Sequence, residues 1–307
     1  MNIYMAAVHS NGYKHTNRYE KLNDREKYLI DNHVPYLLES YHYIKGQQYV
    51  DAIRDKNDKV FLDSGAFSAH SLGVDVNIRE YCEYIERNSD IIKTEDGVLL
   101  ASVLDCIDDP LGTWRNQKIM EDYFHITPLP CFHCGEDERY LEWYVQKYEY
   151  ITLGGMVGSS VKQLIQWLDR IWGKYLIDGS GKPKLKVHGF GITSVKVMER
   201  YPWTSCDSSS WIQSASFGTI ITPEYGTIQV SEKSPARQYI WQHAFTLSEN
   251  EKAVLYQNLL DRGFNIERLS KVYESRAIYN LYAFNEINKI INAKNITTYD
   301  AIYQELY

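Results

Sequence analysis

Short apolar runs, rich in β-branched residues, recur through the first two thirds of this 307-residue chain. Eight of them are separated by longer and more polar stretches. They are Ile3–His9, Val34–Tyr41, Lys59–Asp63, Val98–Asp105, Ile126–His133, Tyr150–Gly155, Lys184–Gly191 and Trp203–Ser208. The runs are almost continuously apolar instead of alternating, which is typical of strands buried on both faces of a parallel sheet.

The stretches between the runs carry the helical period. Residues 77–92 and 160–177 place apolar side chains at i, i+3, i+4 and i+7, and residues 136–148 open with acidic residues that favour a helix N-terminus. Strand and helix alternate eight times, which predicts an α/β fold of the (β/α)8 TIM-barrel type. A doubly wound open sheet is the alternative, and we disfavour it because no GxGxxG loop follows the first run.

The pattern changes after Phe217, where residues 218–230 suggest a hairpin or an ordered loop. Three later segments have helical spacing, namely residues 249–264, 266–291 and 298–306. The chain shows no linker and no internal repeat. We therefore predict a barrel over residues 1–245 and a helical C-terminal extension over residues 246–307, packed on the barrel as a single structural unit.

Composition and charge narrow the classes of function. No apolar run approaches the roughly 20 residues that cross a bilayer, and the N-terminus lacks the pattern of a signal peptide. We therefore expect a cytoplasmic protein without a membrane partner. The net charge of −7 argues against a protein that coats nucleic acid non-specifically, although it leaves room for a local basic groove.

The five cysteines do not suggest a disulfide framework, because their number is odd and the chain is long. Cys131 and Cys134, in the sequence CFHC, could chelate zinc. A structural zinc site needs four ligands, however, and no second CxxC or HxxxH pattern follows. We favour two half-buried cysteines at a strand end and predict no metal site.

Carboxylates end three of the predicted strands, at Asp63, Asp105 and Asp207. Active sites of such barrels lie at the carboxyl ends of the strands, so these side chains would point to one mouth. Each aspartate alone could be a helix N-cap, but capping explains three of them in a ring with glycines less easily. Clustered carboxylates raise one another's pKa, and two of them can serve glycosidic chemistry while a third binds the edge of a nucleobase.

Several segments between Leu37 and Trp211 share motifs with a known family. In chain order they are LLESYHY, FLDSGAFSA, VLDCIDD, CFHCG, LGGMVGSS, HGFGIT and CDSSSW. They resemble, in the same order, the LGNTYHL, TDSGGFQ, AFDECTP, QGG, GGLAVGE, MGVGTP and FDCVLPTR segments of the tRNA-guanine transglycosylases, also called queuine tRNA-ribosyltransferases. Each match is short, and their shared order makes the resemblance specific.

The resemblance implies roles for the matching residues. Asp207 would be the nucleophile that attacks C1′ and displaces guanine, and Asp63 would be the general acid/base. The implied substrate-binding residues are Asp105, Phe67, Ser64, Gly65, His133, Gly154, Gly155 and His188. Within this set Asp105 would bind the guanine edge and Phe67 would stack on the base, while the glycines would let the backbone approach the heterocycle.

The chain also departs from the family. The zinc cluster and the basic run that follow the family's nucleophile are absent, and His133 and His188 stand where the family has glutamine and methionine. Each histidine is as readily explained as a hydrogen-bonded core residue. These departures resemble the short, phage-borne DpdA-type branch, which exchanges guanine in DNA for a 7-deazaguanine such as preQ0.

That resemblance implies DNA as the partner, no cofactor, no zinc subdomain and, for a viral chain, the cytoplasm of the host cell. A tRNA enzyme of the same family is the first alternative. A non-catalytic nucleic-acid-binding subunit of the same fold is the second.

Overall fold

The computed structural model of the chain describes residues 1–222, 225–234 and 243–300. The chain divides into two compact units. The first consists of Met1–Asn11, Tyr36–Ser208 and Ile291–Tyr307, and the second of Gly12–Pro35 and Ser209–Ile290. The predicted boundary after residue 245 falls inside the second unit. All candidate site residues lie in the first unit, which is therefore the part that positions the site.

A parallel sheet of seven strands forms the centre of the first unit. In chain order its strands and those of one hairpin are β1 (Asn2–Ala6), β2 (Leu37–Ser40), β3 (Val60–Asp63), β4 (Thr94–Glu95), β5 (Val98–Leu99), β6 (Cys131–His133), β7 (Tyr150–Gly154), β8 (Lys186–Gly189) and β9 (Ser205–Ser208). Among the described strands, β4 and β5 pair with each other in a separate hairpin, and the sheet has the order β3-β2-β1-β9-β8-β7-β6. The predicted α/β class and parallel sheet are confirmed.

The region predicted as a fourth strand, Val98–Asp105, differs from the prediction. Its first two residues form β5, which turns back on β4 through Asp96 and Gly97. Both turn residues have positive φ, 50° and 84°, and an Asp-Gly pair is a strong hairpin signal. The tight turn pairs this part of the run with β4 in a hairpin instead of with the parallel sheet.

The segment Leu100–Val103, which follows β5, lies alongside the sheet through a few backbone hydrogen bonds. Ser102 N–H donates to the carbonyl of Leu62 in β3 at 2.9 Å. On its other side, Val103 N–H donates to the carbonyl of Leu129, just before β6, also at 2.9 Å. The segment therefore occupies the position between β3 and β6 and carries Asp105 at its end.

The sheet curls around a buried apolar cluster. Strands β1, β2, β3 and β7 each contribute to it, together with Leu100 and Leu129; its members are Tyr4, Ala6, Leu38, Phe61, Leu100, Leu129 and Tyr150. Side chains from strands at opposite ends of the sheet order meet here, which requires the sheet to bend. The near-continuous apolar runs agree with this burial, because consecutive residues of β1, β2, β3 and β7 are buried.

The helices of the first unit follow the strands in sequence. They are α3 (Tyr41–Ile44), α4 (Gln47–Asp55), α5 (Ala66–Ser71), α6 (Ile78–Arg87), α7 (Pro110–Phe124), α8 (Glu138–Lys147), α9 (Val161–Ile171) and α10 (Val195–Met198), α1 and α2 belonging to the second unit. The predicted helices at 77–92, 136–148 and 160–177 are confirmed as α6, α8 and α9. The last continues into a π-helical turn at Trp172–Leu176.

The second unit is built mainly from helices. It contains α1 (Asn17–Glu20), α2 (Asp24–Asn32), α11 (Ser210–Ser216), α12 (Glu249–Asp261), α13 (Ile266–Lys271) and most of α14 (Tyr273–Ala293), with β10 (Thr219–Thr222) and β11 (Gly226–Gln229). The predicted hairpin is confirmed, because β10 and β11 pair antiparallel.

The predicted helix over residues 266–291 is two helices, since Val272 between α13 and α14 is extended (φ −105°, ψ 115°). The buried Arg276 guanidinium donates a hydrogen bond of 2.8 Å to the carbonyl of Leu269 in the last turn of α13. It thereby replaces a hydrogen bond that a continuous helix would have supplied. The predicted helix at 298–306 lies largely outside the described residues. Among the helices that the structure describes, none is both long and apolar enough to cross a bilayer.

Candidate active site

Three carboxylates meet at the carboxyl edge of the sheet. Asp63 ends β3, Asp207 lies within β9, and Asp105 follows the segment Leu100–Val103. Burial, followed by repulsion from the carboxylates of Asp105 and Asp207, raises the pKa of Asp63 to about 7. A carboxyl group with this pKa can both donate and accept a proton near neutral pH.

Asp63 is held by the turn that leads into α5. The N–H of Gly65 donates to Asp63 Oδ2 at 3.0 Å, so the aspartate binds the turn rather than capping the helix in the usual way. Gly65 has φ +76°, and a Cβ there would contact the Ser40 hydroxyl and lie 2.6 Å from the Cβ of His42. Glycine is therefore required for the turn, independently of any ligand.

Ser64 and Phe67 differ in their exposure. Ser64 is buried, and its N–H donates to the Ser102 hydroxyl at 2.9 Å, which ties the end of β3 to the neighbouring segment. The Ser64 hydroxyl also accepts the N–H of Ala66 at 3.4 Å, a weak hydrogen bond at the start of α5. Phe67 is 62% exposed on α5, so its ring is open to an incoming ligand.

Asp207 is fixed by a backbone donor and faces a histidine. Its Oδ1 accepts the N–H of Gly191 at 2.8 Å, and His188 Nε2 lies 3.4 Å from the same oxygen. His188 is fully buried, with its Nδ1 2.7 Å from the Ser205 hydroxyl. That hydroxyl is in turn 2.8 Å from the hydroxyl of Tyr150. The chain of contacts fixes the ring and presents Nε2 to Asp207.

Aromatic rings surround His188. The centroids of Phe61 and Phe190 lie 4.6 and 4.7 Å from that of the imidazole, and the ring of Tyr4 lies 6.0 Å away. The sequence prediction placed His188 in the substrate-binding set, with a core histidine as the alternative. The structure gives it features of both, because it is packed as a core residue and yet lies beside Asp207.

His133 lies in a more polar setting. Its Nε2 is 3.5 Å from Asp105 Oδ2 and 3.6 Å from Cys131 Sγ, while its Nδ1 is 3.0 Å from Glu136 Oε1. Attraction to the Cys131 sulfur and hydrogen bonds to Asp105, Cys131 and Glu136 together raise the pKa of His133 above its usual range, against the effect of burial. Burial raises the pKa of the Cys131 thiol to about 11.

Steric contacts explain why glycine occupies the last position of β7, Gly154, and the next position, Gly155. A Cβ on Gly154 would lie 2.7 Å from His133 Cδ2, and one on Gly155 would lie 3.0 Å from the backbone nitrogen of Cys134. Gly155 also has φ +69°. A side chain at either position would therefore displace the β6 strand end, which is a more specific cause than the predicted approach to a heterocycle.

Sequence analysis missed Glu136, Ser205 and Gly191, which contact the candidate residues directly. Glu136 follows His133 by one turn of chain, and a carboxylate at that spacing was a usable signal. Ser205 precedes Asp207 by two positions and so shares its side of β9, which strand geometry could have indicated. Gly191 acts through its backbone, and side-chain patterns carry no signal for such a contact.

Comparison with family models and with curated proteins identifies no relative of this chain. No family model matches the chain, and a search of curated proteins also gave no match.

Proposed function

We propose that this chain is a pentosyltransferase that exchanges guanine in DNA for a 7-deazaguanine such as preQ0. The observation that carries the proposal is the meeting of Asp63, Asp105 and Asp207, with the pKa of Asp63 raised to about 7. A retaining exchange at a glycosidic carbon needs one carboxylate that attacks. It also needs a second group that donates and then accepts a proton near neutral pH.

We also propose that the curled sheet closes as a (β/α)8 barrel through the segment Leu100–Val103, with the helical C-terminal part and without a zinc subdomain. Hydrogen bonds from this segment to Leu62 on one side and to Leu129 on the other support closure. The shared apolar cluster inside the curl supports it as well. A closed barrel would gather the strand ends into a single mouth.

In the first half-reaction, an unstacked guanine nucleotide enters the mouth. Asp207 Oδ2 attacks C1′ and forms a C1′–O bond, while the C1′–N9 bond breaks and its electron pair passes to N9. Gly191 N–H holds the other carboxylate oxygen, which leaves Oδ2 for the attack. Asp63 donates its proton to the departing guanine and becomes a carboxylate.

In the second half-reaction, the 7-deazaguanine occupies the place that guanine has left. The Asp63 carboxylate removes the N9 proton of the new base, and N9 attacks C1′. The C1′–O bond to Asp207 breaks, and its electron pair returns to the Asp207 carboxylate. Configuration at C1′ is retained through two displacements, and Asp63 ends the cycle protonated as it began. No cofactor takes part.

Two polar atoms support recognition of a polar ligand here. Asp105 Oδ1 and His188 Nε2 are buried, and neither has a hydrogen-bond partner among the described residues. Since buried polar groups are normally paired, a ligand is expected to pair with them. Asp105 Oδ1 would accept the N–H groups of the guanine edge. The exposed ring of Phe67 would stack on the base.

Incorporation of a labelled base tests the proposal. The full chain is incubated with labelled preQ0 and, separately, with duplex DNA, single-stranded DNA and unmodified tRNA. A second reaction without preQ0 is denatured to detect a covalent protein–nucleic acid adduct. Asp207→Ala is the test variant, and Asp122→Asn, which changes an exposed carboxylate on α7, is the control.

We expect label in DNA and a denaturation-resistant adduct with the native chain and the control, and neither with Asp207→Ala. Incorporation by Asp207→Ala at the native rate would overturn the mechanism. Label in tRNA alone would keep the reaction class and overturn DNA as the substrate. Binding of nucleic acid without label or adduct would favour the non-catalytic alternative.

A further inference from the structure

Three potential metal ligands of different chemistry, Asp105, Cys131 and His133, converge at the end of β6. One donor atom from each lies within 4.8 Å of the other two. Cys131 Sγ is 3.6 Å from His133 Nε2, and the same nitrogen is 3.5 Å from Asp105 Oδ2. A thiolate, an imidazole and a carboxylate are all ligand types that Zn²⁺ takes in proteins.

The two separations from His133 Nε2 to the other donor atoms are close to those around a tetrahedral ion. With Zn–S of about 2.3 Å and Zn–N or Zn–O of about 2.0 Å, tetrahedral angles place sulfur and nitrogen about 3.5 Å apart, and nitrogen and oxygen about 3.3 Å apart. The observed values are 3.6 and 3.5 Å. Adjustments of only ~0.2 Å would bring these two separations to the tetrahedral values, and the sulfur and the carboxylate oxygen lie within 4.8 Å of each other.

Glu136 orients the histidine as a metal ligand requires. Its Oε1 is 3.0 Å from His133 Nδ1, and its Oε2 accepts the backbone N–H of the same residue at 3.0 Å. A carboxylate accepts the Nδ1 proton of His133, so that nitrogen keeps its proton, and a bound metal ion would displace the proton of Nε2 and take its lone pair. Histidines that bind metals nearly always give their other N–H to a carboxylate, a carbonyl or water in this way.

Gly154 leaves the space in which the ligands meet. A Cβ at this position would lie 2.7 Å from His133 Cδ2 and 3.1 Å from both Cys131 Sγ and His133 Nε2. Any side chain here would push the imidazole and the thiol out of the positions described. Glycine at this point of β7 therefore preserves the ligand geometry across the β6–β7 pair.

We propose that Asp105, Cys131 and His133 bind one Zn²⁺, with a fourth coordination position for water or for a heteroatom of a ligand. The site differs from the pair Cys131 and Cys134 considered from the sequence, because the group that the described residues form does not include Cys134. Ligation through Oδ2 leaves Asp105 Oδ1 free to accept from a base. The proposal therefore neither needs the transglycosylase reaction nor conflicts with it.

Cobalt binding to the full chain tests the proposal without measuring catalysis. The protein is freed of metal with a chelator and titrated with Co²⁺, whose thiolate complexes absorb in the near ultraviolet and whose tetrahedral complexes absorb in the visible. We expect both bands to saturate at one Co²⁺ per chain and to disappear on addition of Zn²⁺. Cys131→Ser should lose the near-ultraviolet band, whereas Cys134→Ser, its neighbour in CFHC, should keep it.

Glu136→Gln provides a test that retains all three ligands. Loss of the carboxylate should weaken Co²⁺ binding about 10- to 100-fold, while the spectrum at saturation is kept. The proposal is overturned by a native chain with no saturable band. It is also overturned by a band that survives in Cys131→Ser and is lost in Cys134→Ser. If circular dichroism shows Cys131→Ser to be unfolded, an unchanged affinity in Glu136→Gln would still overturn it.

Discussion

Two histidines face two aspartates at the same edge of the sheet, and the two pairs differ in their surroundings. His133 Nε2 lies 3.5 Å from Asp105, and His188 Nε2 lies 3.4 Å from Asp207. The His133 side chain is 16% exposed, whereas that of His188 is fully buried. The distances alone would make the pairs equivalent, so the difference must come from what lies on the far side of each ring.

The far nitrogen of each ring has a different partner. The Nδ1 of His133 meets the carboxylate of Glu136, while the Nδ1 of His188 meets the hydroxyl of Ser205, which also bonds Tyr150. A carboxylate accepts only and stabilises positive charge on the ring, whereas a hydroxyl can donate or accept and adds no charge.

The same His–Asp geometry thus has two settings, which fit the two roles proposed for the pairs. The pair of His133 and Asp105 is polar and accessible, which suits binding of a base edge or a metal ion. The pair of His188 and Asp207 is enclosed by aromatic rings, which suits a nucleophile that must keep its place. Asp63 is affected by both pairs, because Asp105 and Asp207 both raise its pKa.

The largest expected effect follows a change at Asp63, the carboxylate between the pairs. Asp63→Asn cannot transfer a proton, so we expect the rate of base exchange to fall by about 10²- to 10⁴-fold. For the native chain, kcat/KM for guanine displacement should fall as the pH rises through about 7, because the required proton is lost. Label incorporation between pH 5 and 9 measures the rate of Asp63→Asn and the pH dependence of the native chain, with Asp122→Asn as the control. A native rate for Asp63→Asn would show that another group donates the proton.

The stability of Asp63→Asn should show the cost of burying the Asp63 carboxylate beside two others. The unfolded chain releases this proton near pH 4 and the folded chain near 7. The folded state thus binds more protons in between, and the free energy of unfolding decreases as pH rises. Relative to the native chain, Asp63→Asn should gain up to ~4 kcal/mol between pH 4 and pH 8. Urea unfolding measures this gain, and parallel pH curves for the two chains would show that folding does not raise the pKa of Asp63.

Asp105→Asn separates binding from chemistry. The amide nitrogen would donate where the guanine edge also donates, which should cost about 1–3 kcal/mol of base binding. We expect KM for the base to rise by roughly 10- to 100-fold with kcat little changed, in contrast to the loss of kcat in Asp207→Ala. A lower kcat at unchanged KM in Asp105→Asn would remove the proposed division between the two pairs.

The smallest effect is expected at Ser205. Ser205→Ala removes the hydroxyl that lies 2.7 Å from His188 Nδ1 and 2.8 Å from the Tyr150 hydroxyl, and leaves two buried polar groups unpaired. We expect a loss of about 1–3 kcal/mol in the free energy of unfolding. Ser89→Ala, at an exposed serine, should change it by less than about 0.5 kcal/mol. Equal values for the two variants would show that His188 does not depend on this contact.

The strand ends could be predicted from the sequence because burial ends there abruptly. The apolar runs were expected to end at Asp63, His133 and Ser208, and β3, β6 and β9 end at those residues. Parallel strands place their carboxyl ends at one edge, so grouping of the aspartates followed from the fold. The roles of these residues remain proposals.

Other features depended on contacts that a sequence pattern does not contain. The run Val98–Asp105 looked like one strand, but the turn at Asp96 and Gly97 divided it. Cys131 comes close to Asp105 only because β6 lies beside the segment Leu100–Val103 in the folded chain. The fixed position of Asp207 depends on the backbone N–H of Gly191, and every residue except proline offers such a group.

The segment Leu100–Val103 has a consequence for how readily this fold could change its specificity. It is joined to the sheet by a single bridge on each side, whereas β9 pairs with β1 over four positions. Amide protons of the segment should therefore exchange with solvent before those of β9. Asp105, which is proposed to bind the base, follows this weakly paired segment. Asp207, the proposed nucleophile, lies on the firmly paired strand β9. With the proposed roles, substitutions in Leu100–Val103 would alter which base is accepted and leave the residues proposed for the exchange reaction unchanged.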